Sequence, residues 1–109
     1  MPIARFAHAS DLPSLLALFA ASEVSPAAEP RERAEHLWQE TLAHPGVHVF
    51  VSDERDRIAA TCMLITTPNL LRSGRHHGFL ENVVIHPDLR GCGHGRMACR
   101  RLAHVWTAR

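Results

Sequence analysis

A glycine-rich turn in the last quarter of the chain has the residue types and spacing best suited to binding an anion. It reads Arg90, Gly91, Cys92, Gly93, His94 and Gly95, and Arg96 follows it. Glycines carry no Cβ atom, so an anion can approach the backbone closely. Where a helix follows such a turn, its first N–H groups lack intrahelical partners and carry partial positive charge, which attracts phosphate. The two arginines add charge beside the same turn.

Two other phosphate-binding motifs do not fit this turn. A dinucleotide-binding G-x-G-x-x-G fingerprint needs a glycine where Arg96 stands, and a Walker A loop needs a lysine, which the chain lacks. A glycine-rich connection that binds nothing stays open as an alternative, although three alternating glycines cost backbone entropy.

The turn must be positioned by a strand before it and a helix after it. Residues 78–86 are mostly apolar and are predicted to form that strand, which Pro87 ends because proline donates no ladder hydrogen bond. The helical period returns after residue 95. The residues expected on or beside the apolar face of this last helix are Met97, Ala98, Leu102, Val105 and Trp106.

Two helices are predicted in the N-terminal half, after a short strand over residues 3–7. Ser10 is expected to cap the first helix, and Asp11 to favour the positive end of its dipole. The apolar stripe of this helix has the spacing i, i+3, i+4 and i+7: Leu12, Leu15, Leu16 and Phe19. The second helix starts near Pro30 and stops at residues 44–46. The residues that it is expected to turn inward are Ala34, Leu37, Trp38 and Leu42.

The hydrophobic period changes to two over residues 47–52, which predicts a strand. Residues 58–66 form a second strand, mostly apolar and therefore expected to be central. The short polar turn between them predicts an antiparallel hairpin, and a polar loop follows over residues 68–77. The order β-α-α-β-β-β-α predicts an α+β fold, a mainly antiparallel mixed sheet flanked by helices, in a single domain over residues 1–109.

Composition narrows the classes of function. The net charge is +1, so there is no overall electrostatic case for binding nucleic acid or a membrane surface. All twelve basic residues are arginine, and five lie in the last twenty positions, which suits an anionic ligand or simply a solvated helix face. The nine histidines show no metal-binding spacing, so no metal is expected. Three cysteines without a C-x-x-C pair, and no apolar run long enough to span a membrane, favour the cytoplasm.

The glycine-rich turn resembles the [Q/R]-x-x-G-x-[G/A] pyrophosphate loop of the GCN5-related N-acetyltransferases. The residues that lead into it, from Glu81 through Val84 to His86-Pro87, look like the fourth strand of that family. The N-terminal order of elements agrees too, so the resemblance runs from about Arg5 to Arg109. It implies direct transfer of an acetyl group from acetyl-CoA to a primary amine of a small molecule or peptide.

The resemblance also implies which residues hold the cofactor. Backbone N–H groups of the turn would bind the pyrophosphate, and the preceding strand would pair with the pantetheine arm. One N–H group of that strand would polarise the thioester carbonyl. The implied cofactor-binding set is Val83, Val84, Ile85, Arg90, Gly91, Cys92, Gly93, His94, Gly95 and Arg96.

The resemblance implies that Glu81 interacts with the amine of the acceptor. Many members carry a glutamate at this place on the fourth strand, where it takes a proton from the amine or binds it. Because its strand neighbours are apolar, we expect Glu81 to be buried, which would strengthen it as a base. The alternative is a structural ion pair with Arg72 or Arg75.

Family members continue beyond this helix with further strands, and they commonly supply a tyrosine as general acid. This chain has no tyrosine and is expected to lack those C-terminal strands. Three explanations stay open: a truncated product, a homodimer or strand-exchanged oligomer that pairs through the edge of strand 78–86, and a CoA-binding module without catalysis. The loop residues Arg72, Arg75, His76 and His77 hint at an anionic acceptor, such as a phosphorylated sugar amine.

Overall fold

The computed structural model describes residues 3–107, except for the side chains of Ile3, Ala98, Leu102 and residues 104–107. The strands are β1 (Ile3–Phe6), β2 (Val47–Glu54), β3 (Arg57–Thr67) and β4 (His77–Ile85). The helices are α1 (Leu12–Ser22), α2 (Arg31–Ala43) and α3 (His94–Thr107). The predicted order β-α-α-β-β-β-α is therefore confirmed. Of the apolar face expected on the last helix, Ala98, Leu102, Val105 and Trp106 lie outside the described side chains.

The four strands form one sheet in the order β1-β2-β3-β4, and each neighbouring pair is antiparallel. β2 and β3 are the central strands, as the apolar composition of β3 predicted. β4 lies at an edge of the described sheet, and α1 packs over one sheet face while α3 contacts the other. The α+β fold class is confirmed.

Both faces of β2 are buried, because helices cover the sheet on its two sides. Val51 packs with Leu15 and Leu18 of α1, whereas Phe50 lies in a second cluster with Cys62 and is fully buried. The period-two pattern therefore predicted a strand correctly. The residues that alternate with its valines are in the interior as well.

Helix α1 starts differently from the prediction. Ser10 lies inside a short 3-10 turn, Ala9–Asp11, and does not cap the helix. Asp11 stands directly before α1, but its side chain caps the preceding 3-10 turn and not the helix: the backbone N–H of His8 donates to its Oδ2 at 2.6 Å. The carboxylate is held by Arg5 and by this N–H group, so it accepts no hydrogen bond from the first turn of α1.

The apolar faces of α1 and α2 also differ from the predicted stripes. In α1 the buried residues are Leu12, Leu15 and Leu18, and Phe19 is partly buried against the same core as predicted, so the difference is that Leu18 joins the stripe while Leu16 is only partly buried. In α2 only Ala34 is buried, while Leu37 is 37% and Leu42 36% exposed. The expectation that Leu37 and Leu42 point inward is wrong, because α2 lies at the rim of the sheet and contacts chiefly β2 and the turn before α1.

Arg5 joins β1, the start of α1 and the end of β2. Its guanidinium donates two hydrogen bonds to Asp11, at 2.8 and 2.9 Å, and two to Asp53, at 2.7 and 3.1 Å. The side chain of Asp11 is only 11% exposed. The guanidinium of Arg5 lowers the pKa of the Asp11 carboxyl, and the N–H of His8 lowers it further.

Within residues 3–107, no helix is long and apolar enough to cross a membrane.

Candidate active site

The glycine-rich turn connects β4 to a helix, as its sequence predicted. A 3-10 turn, Pro87–Leu89, follows β4, and the N–H of Cys92 donates back to the carbonyl oxygen of Leu89 at 3.2 Å. Gly91 and Gly93 then adopt φ angles of 86° and 90°. Residues with a Cβ rarely adopt such angles, so both positions require glycine.

Helix α3 begins directly at this turn, with His94 as its first residue. Its first turn is closed by the N–H of Met97, which donates to the carbonyl oxygen of Gly93 at 3.1 Å. The N–H groups at the start of the helix have no intrahelical acceptor, so they are available to an anion. Arg90 and Arg96 flank them, both exposed, and neither forms an ion pair with the described side chains.

Gly95 has a packing role that the sequence did not indicate. A Cβ atom at this position would lie 2.9 Å from Cδ1 of Ile85, at the end of β4. The missing side chain therefore lets the first turn of α3 approach the strand that leads into the turn. A larger residue at this position would require the side chain of Ile85 to shift.

The side chain of His94 points into the protein, although sequence reasoning considered only its backbone. The residue is 1% exposed, and its Nδ1 lies 2.5 Å from the hydroxyl oxygen of Ser52, which is 0% exposed. Its Nε2 lies 3.1 Å from Oε2 of Glu54. We refer to Ser52, Glu54 and His94 as the histidine clamp. No local pattern could have revealed it, because Ser52 and Glu54 lie 42 and 40 residues before His94 in the sequence.

A β-bulge interrupts β4 at the position where the predicted cofactor strand begins. Thr61 of β3 pairs with Val84, but Met63 pairs with Glu81, so β4 has one residue more than β3 over this interval. Asn82 lies in the bulge with a φ of 52°. Asparagine tolerates this left-handed conformation better than most residues, which is the only sequence signal that could have marked the bulge.

The predicted cofactor strand has a free backbone edge. Val84 is buried against α1, whereas Val83 is 51% exposed. On one side this stretch pairs with β3, and on the other side no strand of the described chain covers it. Its outward N–H and C=O groups can therefore pair with an extended ligand.

Glu81 is exposed, so the expectation of a buried carboxylate is wrong. The reason is topological: β4 is the edge strand of the described sheet, and the helices cover only its far end, around Val84. The alternative role is not observed either, since Glu81 forms no ion pair with Arg72 or Arg75 in the structure. Its carboxylate is therefore open to solvent and to a ligand.

A cavity of about 390 Å³ lies between the first two helices and the sheet, next to the bulge. Met63, Asn82 and Val84 contribute to its floor. Paired residues of antiparallel strands project to the same face, so Glu81 lies on the same side of the sheet as its partner Met63. The cavity walls contain no charged residue and are mostly apolar, with Leu12, Leu15, Phe19, Ala34 and Trp38 among them.

The basic loop residues and the cysteines are distributed as follows. Arg72, Arg75, His76 and His77 are all exposed, just before and at the start of β4. Cys92 and Cys99 are exposed, whereas burial raises the pKa of the Cys62 thiol to about 11. Among the described residues, no group of three or more His, Cys, Asp or Glu side chains could hold a metal ion.

Comparisons with known proteins agree with this geometry. The model of the acetyltransferase (GNAT) family matches residues 12–108. A glucosamine 6-phosphate N-acetyltransferase of Trypanosoma brucei brucei is 30% identical over 101 residues, which are 93% of this chain and 69% of that protein.

Two solved structures illustrate the similarity of fold. A protein of Agrobacterium tumefaciens str. C58 superposes with a TM-score of 0.84 at 35% identity, over 96% of this chain and 73% of its own. An acetyltransferase of Clostridium acetobutylicum, determined with acetyl-CoA, has a TM-score of 0.73 at 19% identity, over 100% of this chain and 75% of its own. With the glycine-rich turn, the bulged edge strand and the family match in agreement, the chain belongs to the GNAT family of acetyltransferases.

Proposed function

We propose that this chain transfers an acetyl group from acetyl-CoA to a primary amine by direct attack. The observation that carries the proposal is the junction of three features: a bulged, unpaired stretch of β4, a turn that requires glycine at two positions, and a helix N-terminus flanked by free arginines. Together they suit a ligand with an extended, amide-containing arm and a pyrophosphate.

The turn would hold the pyrophosphate. Arg90, Gly91, Cys92, Gly93, His94 and Gly95 contribute backbone N–H groups, and Arg96 contributes charge. The open space around Gly91, where a Cβ would meet nothing within 4 Å, supports approach of an anion from the solvent side. The two exposed arginines can move onto phosphate oxygens without breaking an existing ion pair.

The free edge of β4 would align the pantetheine arm along Val83, Val84 and Ile85. The bulge at Asn82 turns local backbone groups away from the ladder, which supports an N–H of this stretch as donor to the thioester oxygen. The amine nitrogen forms a C–N bond to the thioester carbon of acetyl-CoA, and the C–S bond then breaks, so that CoA leaves as a thiolate and takes up a proton from solvent. The developing negative charge on oxygen is what the N–H group stabilises.

Glu81 would accept the proton of the amine or anchor its ammonium form. The carboxylate is exposed and free of ion pairs, and it lies on the cavity side of the sheet, next to the bulge. A ligand that covers the edge would remove this carboxylate from water, so that desolvation would arise only in the bound state. This differs from a base that is buried in advance.

For the acceptor we propose a small amine, with a phosphorylated amino sugar as the first candidate. The relative from Trypanosoma brucei brucei carries that activity in its name, and four exposed basic residues stand at the start of β4. The uncharged cavity favours a second candidate, an amine with an apolar substituent. A peptide amine is the third class that the fold accommodates.

Two further features accompany the proposal. All three cysteines are free, which suits a reducing compartment such as the cytoplasm. Phe79 and Leu80 are each about half exposed on the part of the edge strand that precedes the bulge, which supports association of two copies through that part of the edge and leaves Val83 to the cofactor. Sedimentation velocity at micromolar concentration would report a dimer, and a monomer at every concentration would contradict it.

Calorimetry with acetyl-CoA, followed by an assay of free-thiol release, tests the function. The acceptor panel should contain glucosamine 6-phosphate, glucosamine, phenethylamine and a short peptide. Absence of binding at millimolar acetyl-CoA would overturn the proposal. Binding without turnover on any amine would favour the rival function, a CoA-binding module, which the lack of tyrosine as a general acid supports.

Glu81→Gln tests the role of the carboxylate. We expect kcat/KM to fall by about two orders of magnitude, with acetyl-CoA affinity unchanged, because general-base assistance contributes on that order. Glu40→Gln is the matched control, since Glu40 is an exposed glutamate of α2 outside the site. Turnover that survives Glu81→Gln unchanged would remove the assigned role.

A further inference from the structure

We infer that His94 is a positioning residue: through Ser52 and Glu54 it holds the first turn of α3, and with it the glycine-rich turn, against the central strand β2. The inference rests on the proposed function in one respect: the ligand of this turn is taken to be a pyrophosphate. Nothing in the glycine pattern itself requires a polar, buried side chain at this position.

The geometry specifies the hydrogen atoms of the clamp. Glu54 as a carboxylate can only accept a hydrogen bond, so Nε2 of His94 must carry the hydrogen. With a neutral imidazole, Nδ1 then accepts from the hydroxyl of Ser52. Both ring nitrogens are thereby used, and rotation of the ring would cost both hydrogen bonds in a buried site.

Burial separates this arrangement from a catalytic triad of similar composition. Ser52 is 0% exposed and lies in the middle of β2, paired with Ala4 and Ala60 on either side. No substrate atom can reach its hydroxyl oxygen. The three side chains therefore act on the position of the backbone, and none of them is a nucleophile.

The clamp provides the second of two attachments for the start of α3. The first is the close approach of Gly95 to the side chain of Ile85 at the end of β4, which the absence of a Cβ atom permits. The clamp fixes the same turn of the helix to β2, two strands away in the sheet. Between these attachments, the N–H groups of the first turn keep one direction. Their fit to a pyrophosphate then needs no ordering when the ligand binds.

Ser52→Ala and Glu54→Ala test the clamp from its two ends, since alanine leaves no acceptor for Nε2 of His94 and no hydroxyl for Nδ1. Glu54 is partly exposed, with 38% of its side chain accessible, so its replacement should leave folding intact even if the serine variant is less stable. Thr66→Val is the matched control, because Thr66 is also a buried hydroxyl residue of the sheet but lies beside Gly46, away from α3. The full-length chain should be used throughout.

We expect the Kd of CoA to rise about tenfold in both clamp variants and to stay within twofold in Thr66→Val, because an unmade buried hydrogen bond has this order of cost. Turnover with S-acetyl-pantetheine, which lacks the pyrophosphate, should stay within twofold. Amide exchange of Met97, whose N–H closes the first helical turn, should become about tenfold faster in the clamp variants alone.

Unchanged CoA affinity together with unchanged Met97 exchange in both clamp variants would overturn the inference. An equal fold-change in the Kd of CoA and in turnover with S-acetyl-pantetheine would also overturn it, since a general structural defect affects both ligands. If the wild-type chain itself fails to bind CoA, the proposed function is wrong. In that case the rate of amide hydrogen exchange at Met97 in the clamp variants still tests whether the clamp positions the helix.

Discussion

Arginine is used in two opposite ways at the two edges of this sheet. At the β1 edge, Arg5 is saturated: four hydrogen bonds to Asp11 and Asp53, and a fifth to the carbonyl oxygen of Phe6, occupy its five N–H groups. At the β4 edge and the turn behind it, Arg90 and Arg96 are exposed and form no ion pair with the described side chains. At the β1 edge the arginine is neutralised by carboxylates of the same chain, whereas at the β4 edge the arginines are available to an anionic ligand.

The comparison separates charges that stabilise from charges that bind. A guanidinium between two partly buried carboxylates contributes to the free energy of unfolding and has no donor left for a ligand. A free guanidinium beside a helix N-terminus contributes little to stability and favours an anion. Three predictions follow this distinction, in order of decreasing effect.

Asp11→Asn should have the largest effect, and on stability alone. We expect the free energy of unfolding in urea to fall by about 2 kcal/mol, because charge-assisted hydrogen bonds in a buried position are lost. Affinity for acetyl-CoA should not change. Glu35→Gln is the control, since it removes only an exposed pair with Arg31 at 3.7 Å, for which we expect less than about 0.5 kcal/mol. Equal losses in the two variants would contradict the assignment of a structural charge to this edge.

Acid should weaken the same edge in the wild-type protein. The pKa of Asp11 is held below its ordinary value near 3.8, chiefly by Arg5. The contribution of this group is therefore complete above that ordinary value, and it is lost as the pH falls below it towards the pKa of the folded state.

Thermal melts at pH 6 and pH 3 measure this loss. We expect the decrease in Tm to be larger for the wild type than for Asp11→Asn, which has no carboxyl at this position. The difference between the two decreases cannot exceed the fall in Tm that Asp11→Asn causes at pH 6, because protonation and substitution remove the same charge. Parallel decreases in Tm for the two proteins would exclude Asp11 as a source of acid sensitivity.

Local patterns predicted most of the fold and the turn of the candidate site. The strands follow from short apolar runs between polar turns, and the position of the glycine-rich turn between a strand and a helix follows from the change of hydrophobic period on its two sides. Each of these inferences uses residues that are close in sequence. The family resemblance added the roles that the residues would have.

The features that were missed depend on residues distant in sequence. Glu81 was expected to be buried because its neighbours are apolar, but exposure depends on which strand lies at the edge of the described sheet. The clamp of His94 joins positions 40 and 42 residues apart, so no spacing within the turn could indicate it. Leu37 and Leu42 have helical spacing, yet the helix that carries them lies at the rim.

Arg90→Gln and Arg96→Gln should have the smallest effect on stability. Unlike Asp11→Asn, they should weaken the binding of acetyl-CoA. Both side chains are exposed, so we expect the free energy of unfolding to stay within about 0.5 kcal/mol of the wild type. Each substitution should raise the Kd of acetyl-CoA about tenfold at low salt, since a charge-assisted contact with phosphate is lost. The matched control is Arg33→Gln, an exposed arginine of α2.

Salt dependence distinguishes direct contact from a change in the turn. If the two arginines contact phosphate, the penalty of each substitution should shrink as the salt concentration rises, because screening already weakens the wild-type interaction. A penalty that is independent of salt would mean that the arginine shapes the turn instead. Equal Kd values for Arg33→Gln and Arg90→Gln would show that the free arginines are solvated surface charges, and the contrast between the two edges would then concern stability alone.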